Sequence, residues 1–319
     1  MAFFLGVPIV QGPRLDRGTS LSWLATCPGG YSAAMPSPAR SARTRGASAA
    51  TAGAHDRTLT STDQLRRVTV VAAELFCIVG TLVGTGVLGQ RVEESAGGAL
   101  SDEATLVAPA GPAFSIWTPI YLGLLAYTVW QFLPRNASRE RTRRTGWLAA
   151  ASMALNATWL LVTQADWVWA SVVVIVALLV NLLVLVSGLG REPASGVLER
   201  IVVDGTFGLY LGWVTVATAA NIAAAVISSD LDLGVDDNPF VAVAVVAVVA
   251  TAGVLLARRL GGRWAVGLAL AWGFGWIAFG RLADEPRSTA TAIAAGAAAV
   301  VVLVATAWYR RRGPHGGLG

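Results

Sequence analysis

Three apolar stretches of this chain place aromatic rings and amides at spacings suited to clasping something flat. In "FSIWTPIYLGLLAYTVWQ" (114 to 131), Trp117, Tyr121, Leu124 and Thr128 follow an i, i+4, i+7, i+11 series, so a helix carries all four along one face. In "GWLAAASMALNATWLLVTQ" (146 to 164), Asn156, Trp159 and Thr163 stand at i, i+3, i+7; in "GTFGLYLGWVTVATAANIA" (205 to 223), Tyr210, Trp213, Ala217 and Asn221 do the same and extend it by a turn. Indole and phenol rings stack on planar apolar molecules, and an amide supplies polar atoms to orient them. The candidate ligand-binding set is therefore Trp117, Tyr121, Asn156, Trp159, Tyr210, Trp213 and Asn221. Packing is the competing reading. Tryptophans near helix ends form interfacial belts, as Trp167, Trp169, Trp264 and Trp308 are read here, and Asn156, Asn181 and Asn221 are also suited to hydrogen bonds between helices. Trp117 fits belt and site alike, whereas Trp213 lies too deep for a belt and serves either packing or the site.

Other chemistries lack their residues. There is no HExxH, GxSxG or phosphate-binding glycine loop, and His55 and His315 lie in the flanking tails, so no catalytic residue and no metal ligand is assigned. Cys27 and Cys77 form neither a disulfide framework nor a CxxC pair. Glu74, two turns into the first apolar run, has the chemistry of a proton relay, but its nearness to Arg66 and Arg67 makes an ion pair with them the expected role. Gly80 and Gly84 form a GxxxG pattern, which lets helix backbones approach closely.

The elements that must position these residues are membrane helices. Hydrophobic residues make up 55% of the chain and charged ones 13%, and the mean hydropathy is +0.60, which together point to an all-α polytopic membrane protein. A net charge of +5 and a pI near 9.9 would suit nucleic acid, but every basic residue is an arginine and the arginines fall in clusters between apolar runs. They read as membrane-orienting charges, so no nucleic-acid partner is expected. Eight runs reach spanning length: roughly 68 to 89, 113 to 133, 147 to 163, 167 to 189, 201 to 227, 239 to 257, 264 to 280 and 289 to 309. Arginines gather before the first run, after the second, fourth, sixth and eighth, and the intervening loops are acidic. The positive-inside rule then puts both termini in the cytoplasm of a multi-pass protein of the cell membrane, and the lysine-free, alanine- and arginine-rich composition suggests a bacterial source. Residues 1 to 67, rich in Ser, Ala, Thr, Gly, Pro and Arg, are expected to be a disordered tail, and residues 310 to 319 a cytoplasmic one.

Three segments in order resemble the TspO/MBR family, the tryptophan-rich sensory proteins and translocator proteins. "APAGPAFSIWTPIY" (108 to 121) is similar to the family's PPGxxFGPxWTxLY motif, "ALNATW" (154 to 159) to LNxxW, and "LYLGWVTVATAANI" (209 to 222) to PYLxWxxFAxxLN. The doubled proline is reduced to Pro109 and Pro112, the proline before Tyr210 is absent, and Val173 stands where a fourth-helix aspartate is usual. The resemblance implies a five-helix region over residues 68 to 228 whose pocket binds porphyrins, with the pocket tryptophans at Trp117 and Trp213 and the third-helix asparagine at Asn156. Three further spans, 239 to 309, would mark a larger, divergent branch.

The expected function is thus a membrane binding or sensory protein for a planar hydrophobic ligand, a porphyrin foremost. The alternative is a transporter of a small amphipathic metabolite through the eight-helix body, and the one enzymatic option is tryptophan-assisted photo-oxidation of a bound porphyrin. Membrane lipid and the planar small molecule are the expected partners, with a homodimer as a further candidate. The cavity should open toward the outer leaflet, floored by Trp213 and roofed by the first loop. Because every proposed pocket residue precedes Asn238, spans six to eight are expected to pack outside the site, and a chain ending near residue 237 to keep its ligand.

Overall fold

The computed structural model describes residues 59–229 and 237–312, which form helices joined by turns and irregular loops, with one isolated bridge between Thr85 and Arg91. Among these residues eight helices are long and apolar enough to cross a membrane. They are α1 (Ser61–Gly84), α2 (Trp117–Trp130), α3 (Glu140–Gln164), α4 (Val168–Gly188), α5 (Thr206–Ile227), α6 (Pro239–Arg259), α7 (Trp264–Ala283) and α8 (Thr289–Arg312). A 3₁₀ turn, Gly111–Ile116, leads into α2, and a π-helical turn, Arg200–Gly205, joins the short helix Val197–Glu199 to α5. The chain is an all-helical membrane protein of eight spans.

Several helices begin earlier than their apolar runs, and local chemistry explains it. Ahead of α1, Thr60 and Asp63 form a capping box: the Asp63 amide donates to Thr60 Oγ1 at 3.2 Å, and the Thr60 amide donates to Asp63 Oδ2 at 3.1 Å. The segment read as a tail over residues 1 to 67 therefore ends in helix from Ser61, and residues 1 to 58 lie outside the described ones. Helix α3 starts at Glu140 rather than 147 because its arginines are matched by acids. Arg141 contacts Glu199 and Asp204, each at 2.8 Å, and Arg143 contacts Asp63 at 2.8 Å. Arg66 reaches Asp63 at 2.8 Å and the Ala137 carbonyl at 2.6 Å, Arg139 reaches Glu199 at 2.7 Å, and Arg263 reaches Asp204 at 2.6 Å. The arginine-rich end of the bundle is thus a half-buried ion-pair network that joins α1, α3, the turn before α5 and the start of α7.

Small residues set the helix contacts. A Cβ added at Gly80 would lie 2.9 Å from Ala157 Cα, so the GxxxG face of α1 brings its backbone against α3. Helix α5 is the centre of the bundle: 72% of its apolar window is buried, against 28% for α1 and for α6. Gly208 faces Ala265, Gly212 faces Ala269 and Gly273 faces Val216, so α7 runs parallel to α5 and lies directly on it. Of spans six to eight, expected to pack outside the site, α7 lies directly against the central helix. Low polarity suggested a peripheral role, but glycine and alanine are also what permit the closest approach to a central helix. Helices α6 and α8 meet each other and α7 around Gly253, Leu270 and Val302.

Candidate functional site

Trp117 occupies the corner where α2 begins, and four rings meet there. It stacks on Tyr121 (centroids 5.2 Å apart, planes 15° apart) and presents edges to Tyr210 at 5.8 Å and Trp213 at 6.3 Å. Phe114, on the 3₁₀ turn, meets Trp213 edge-on at 5.7 Å. Stacking at one neighbour and edge contact at the others are the arrangements aromatic quadrupoles favour. The i, i+4 spacing in α2 makes the stack, and the i, i+3 spacing of Tyr210 and Trp213 in α5 turns both toward it.

Polar atoms enter the cluster from α3. Asn156, fully buried, donates from Nδ2 to the Tyr121 hydroxyl at 3.2 Å and to Cys77 Sγ at 3.6 Å, while its Oδ1 accepts nothing. Trp213, 1% exposed, has its Nε1–H without an acceptor. Both residues line one cavity of about 20 Å³, with Phe114, Trp117 and Trp159 around it and Ile175 and Leu178 of α4 closing a side. That volume suits a single water-sized sphere. The open cavity anticipated from the sequence is therefore nearly filled, because Phe114 and the aromatic corner occupy it.

Trp159 and Asn221 do other work. Trp159 Nε1 donates to Asn221 Oδ1 at 2.7 Å, Asn221 Nδ2 donates to Ser171 Oγ at 2.8 Å, and Ser171 Oγ donates to the Val168 carbonyl at 2.6 Å. This chain ties α3, α5 and α4 together; Trp159 also lines the cavity, whereas Asn221 stands behind it. The Tyr210 hydroxyl donates to the Ser152 carbonyl at 3.3 Å, and Asn181 Nδ2 donates to the Leu148 carbonyl at 2.9 Å. Of the seven predicted residues, Trp117, Asn156, Trp159 and Trp213 line the cavity, and Tyr121 and Tyr210 buttress it through Trp117.

The first loop, expected from the sequence to roof the site, is held from the far end of the chain. Leu106, Val107, Ala108 and Ala110 of the first loop are buried, and α7 fastens them. Arg281, 1% exposed, donates to the carbonyls of Asp102 at 2.8 Å, Thr105 at 3.1 Å and Pro286 at 3.0 Å. Trp272 Nε1 donates to the Ala113 carbonyl at 2.9 Å, and the Ala110 amide donates to the Trp276 carbonyl at 3.3 Å. Sequence reasoning missed Phe114, Trp272 and Arg281. Phe114 stands three residues before Trp117, and the "WGFGW" run (272 to 276) combines close-packing glycines with two indoles, so both carried a signal; the target of Arg281 had none.

Glu74 departs from its expected role. Arg66 is engaged by Asp63 and Ala137, Arg67 lies 4.1 Å over the Phe132 ring, and neither pairs with Glu74. The arginines stand two turns nearer the helix start, where closer partners take them.

These features define an eight-span helical membrane protein with an aromatic cluster at the mouth of its central helices. The profile of a family described as TSPO-like protein matches residues 67–308, reaching into every one of the eight spans. The chain belongs to that family. No curated protein and no solved structure matches it.

Proposed function

We propose that this TspO-type membrane protein binds a planar hydrophobic ligand, a tetrapyrrole of the porphyrin class foremost, between Trp117 and Trp213 with Asn156 as its polar orienter. One observation carries the reading: Asn156 Oδ1 and Trp213 Nε1 are both buried, both unpartnered, and both line the same aromatic cavity. Leaving a buried acceptor and a buried donor unmade costs about 1 to 3 kcal/mol each, a cost a ligand with complementary groups removes. The chemistry of the lining fits a macrocycle bearing pyrrole nitrogens and carboxylates. The volume does not, since sites for such molecules run to roughly 300 to 1,000 Å³. Admission therefore requires Phe114 and its 3₁₀ turn to move away from Trp213, opening the space beneath the first loop.

The test is a titration of the purified full-length protein with a porphyrin panel, following tryptophan emission and the porphyrin absorption band. Trp117→Leu and Trp213→Leu should each weaken binding about 2- to 13-fold, the equivalent of about 0.5 to 1.5 kcal/mol of ring stacking beyond area burial. Parent-like binding by both variants would sink the assignment. We read the arginine-rich end as cytoplasmic, in a bacterial cell membrane. Reporter fusions after residues 140, 236 and 312 should read inside, outside and inside.

A further inference from the structure

Glu74 is a carboxylic side chain in the middle of a membrane helix, 5% exposed, with Oε2 unpartnered and no ion pair. Along α1 it lies in sequence between Arg66, which packs on Gly146, and Gly80, which packs on Ala157, but about 80° around the helix from Arg66, at the edge of the buried face rather than at the centre of the α3 contact. The titratable and polar groups of this part of the bundle come from four helices. Cys77 is one turn on in α1, Tyr121 of α2 shares the Asn156 amide with it, and Tyr210 of α5 meets Trp117, on which Tyr121 stacks. Helix α3 contributes Asn156, and its charged residues Arg141 and Arg143 are engaged by Glu199, Asp204 and Asp63 at the arginine-rich end. The neutral dipoles of Cys77, Tyr121, Tyr210 and Asn156 do not replace the hydration of an anion, so a lone carboxylate here is much costlier charged than neutral.

Glu74 stands one helical turn from groups that reach the cavity. Cys77, three residues on and about 4.5 Å along the helix axis, takes a hydrogen bond from the Asn156 amide, and the same amide reaches the hydroxyl of Tyr121, which stacks on Trp117. We propose that Glu74 is an intramembrane proton-binding site whose occupancy is sensed by the aromatic cavity. On release, the carboxyl O–H bond breaks, the proton passes to solvent water and the carboxylate keeps the electron pair. The new charge then pulls on the thiol, amide and phenol dipoles that fix Asn156 and, through Tyr121, the Trp117 stack. Uptake reverses each step.

The experiment needs no porphyrin, so its failure and the failure of the ligand reading are separable. Infrared difference spectra and tryptophan emission of the full-length protein in detergent are recorded from about pH 5 to about pH 10. The parent should lose one protonated-carboxyl C=O band with rising pH, and its emission should shift with the same midpoint. Glu74→Gln, which keeps the shape and removes the proton site, should abolish both changes. Glu74→Asp should keep both at a displaced midpoint. The proposal is overturned if the parent lacks the band, if its emission does not follow the band, or if Glu74→Gln retains the parent's emission titration. Should Glu74→Gln fail to fold, the parent and Glu74→Asp decide: two matched titrations with different midpoints support the site, and identical midpoints overturn it.

Discussion

Spans α1 to α5 and spans α6 to α8 bury their polar groups in different ways. In the first region, side chains bond across helices at several depths: Trp159 to Asn221 to Ser171, Asn181 to Leu148, Asn156 to Tyr121. In the second, the buried surface is mostly alanine, valine and glycine, and among the described residues its one buried charged side chain, Arg281, reaches back to the loop over the first region. Interhelical hydrogen bonds in a membrane fix register as well as adding stability, whereas small residues let backbones approach without naming a partner. The first region is thus specified by polar geometry and the second by close packing plus a few ties along α7, from Arg263 to Asp204 and from Trp272, Trp276 and Arg281 to the first loop and the turn before α2. The aromatic cavity is lined by the first region alone, and the first loop is held by the second.

Ending the chain near residue 237 is the most severe way to break this comparison. It strips α7 from the Gly208, Gly212 and Val216 face of α5 and removes every bond from Arg281 and Trp272 to the loop. The expected outcome is loss of the folded state and with it of porphyrin binding, read by size exclusion and circular dichroism. A folded, binding-competent truncated chain would show that the first five spans suffice. Arg281→Met keeps much of the packed volume and takes the donors from three carbonyls; thermal unfolding in detergent should show about 3 kcal/mol of destabilisation. If the clamp serves the roof, the same variant should also make Trp213 easier to quench from solution. Trp159→Phe is the mildest, leaving Asn221 Oδ1 without its donor at a cost of about 1 kcal/mol, since partners in the membrane-embedded unfolded state offset part of the loss. A much larger loss would place Trp159 among the principal supports of the cavity rather than its fasteners.

Spans were legible because apolar length is a local property: all eight runs became helices, with the starts of α1 and α3 extended where charged residues found partners and the entries to α2 and α5 taken by a 3₁₀ and a π-helical turn. Helical spacing also made the aromatic corner legible, since i, i+3 and i+4 positions share a face in any α-helix. Asn221 shows the limit of that reasoning. It shares its face with Tyr210 and Trp213, yet a neighbouring indole claims its carbonyl and Ser171 its amide. A helical face names the direction in which a side chain points, and the distance to what lies there comes from the neighbouring helices.

The sequence by itself determined the solvent of this protein, the number of its spans, the distribution of charge between its ends and the aromatic faces of three helices. Each of these follows from hydropathy, charge or the 3.6-residue period and needs no knowledge of what lies across a contact. Tertiary structure alone decided that α7 lies on α5, that Arg281 grips the first loop, that Glu74 is left without an arginine, and that the cavity is closed to about 20 Å³. Those outcomes depend on which partner is nearest among several of equal chemistry. Arg66 had Glu74 two turns away and Asp63 one turn away, and the shorter reach prevailed because a Coulomb attraction weakens with distance and a buried pair needs direct contact to offset its lost hydration.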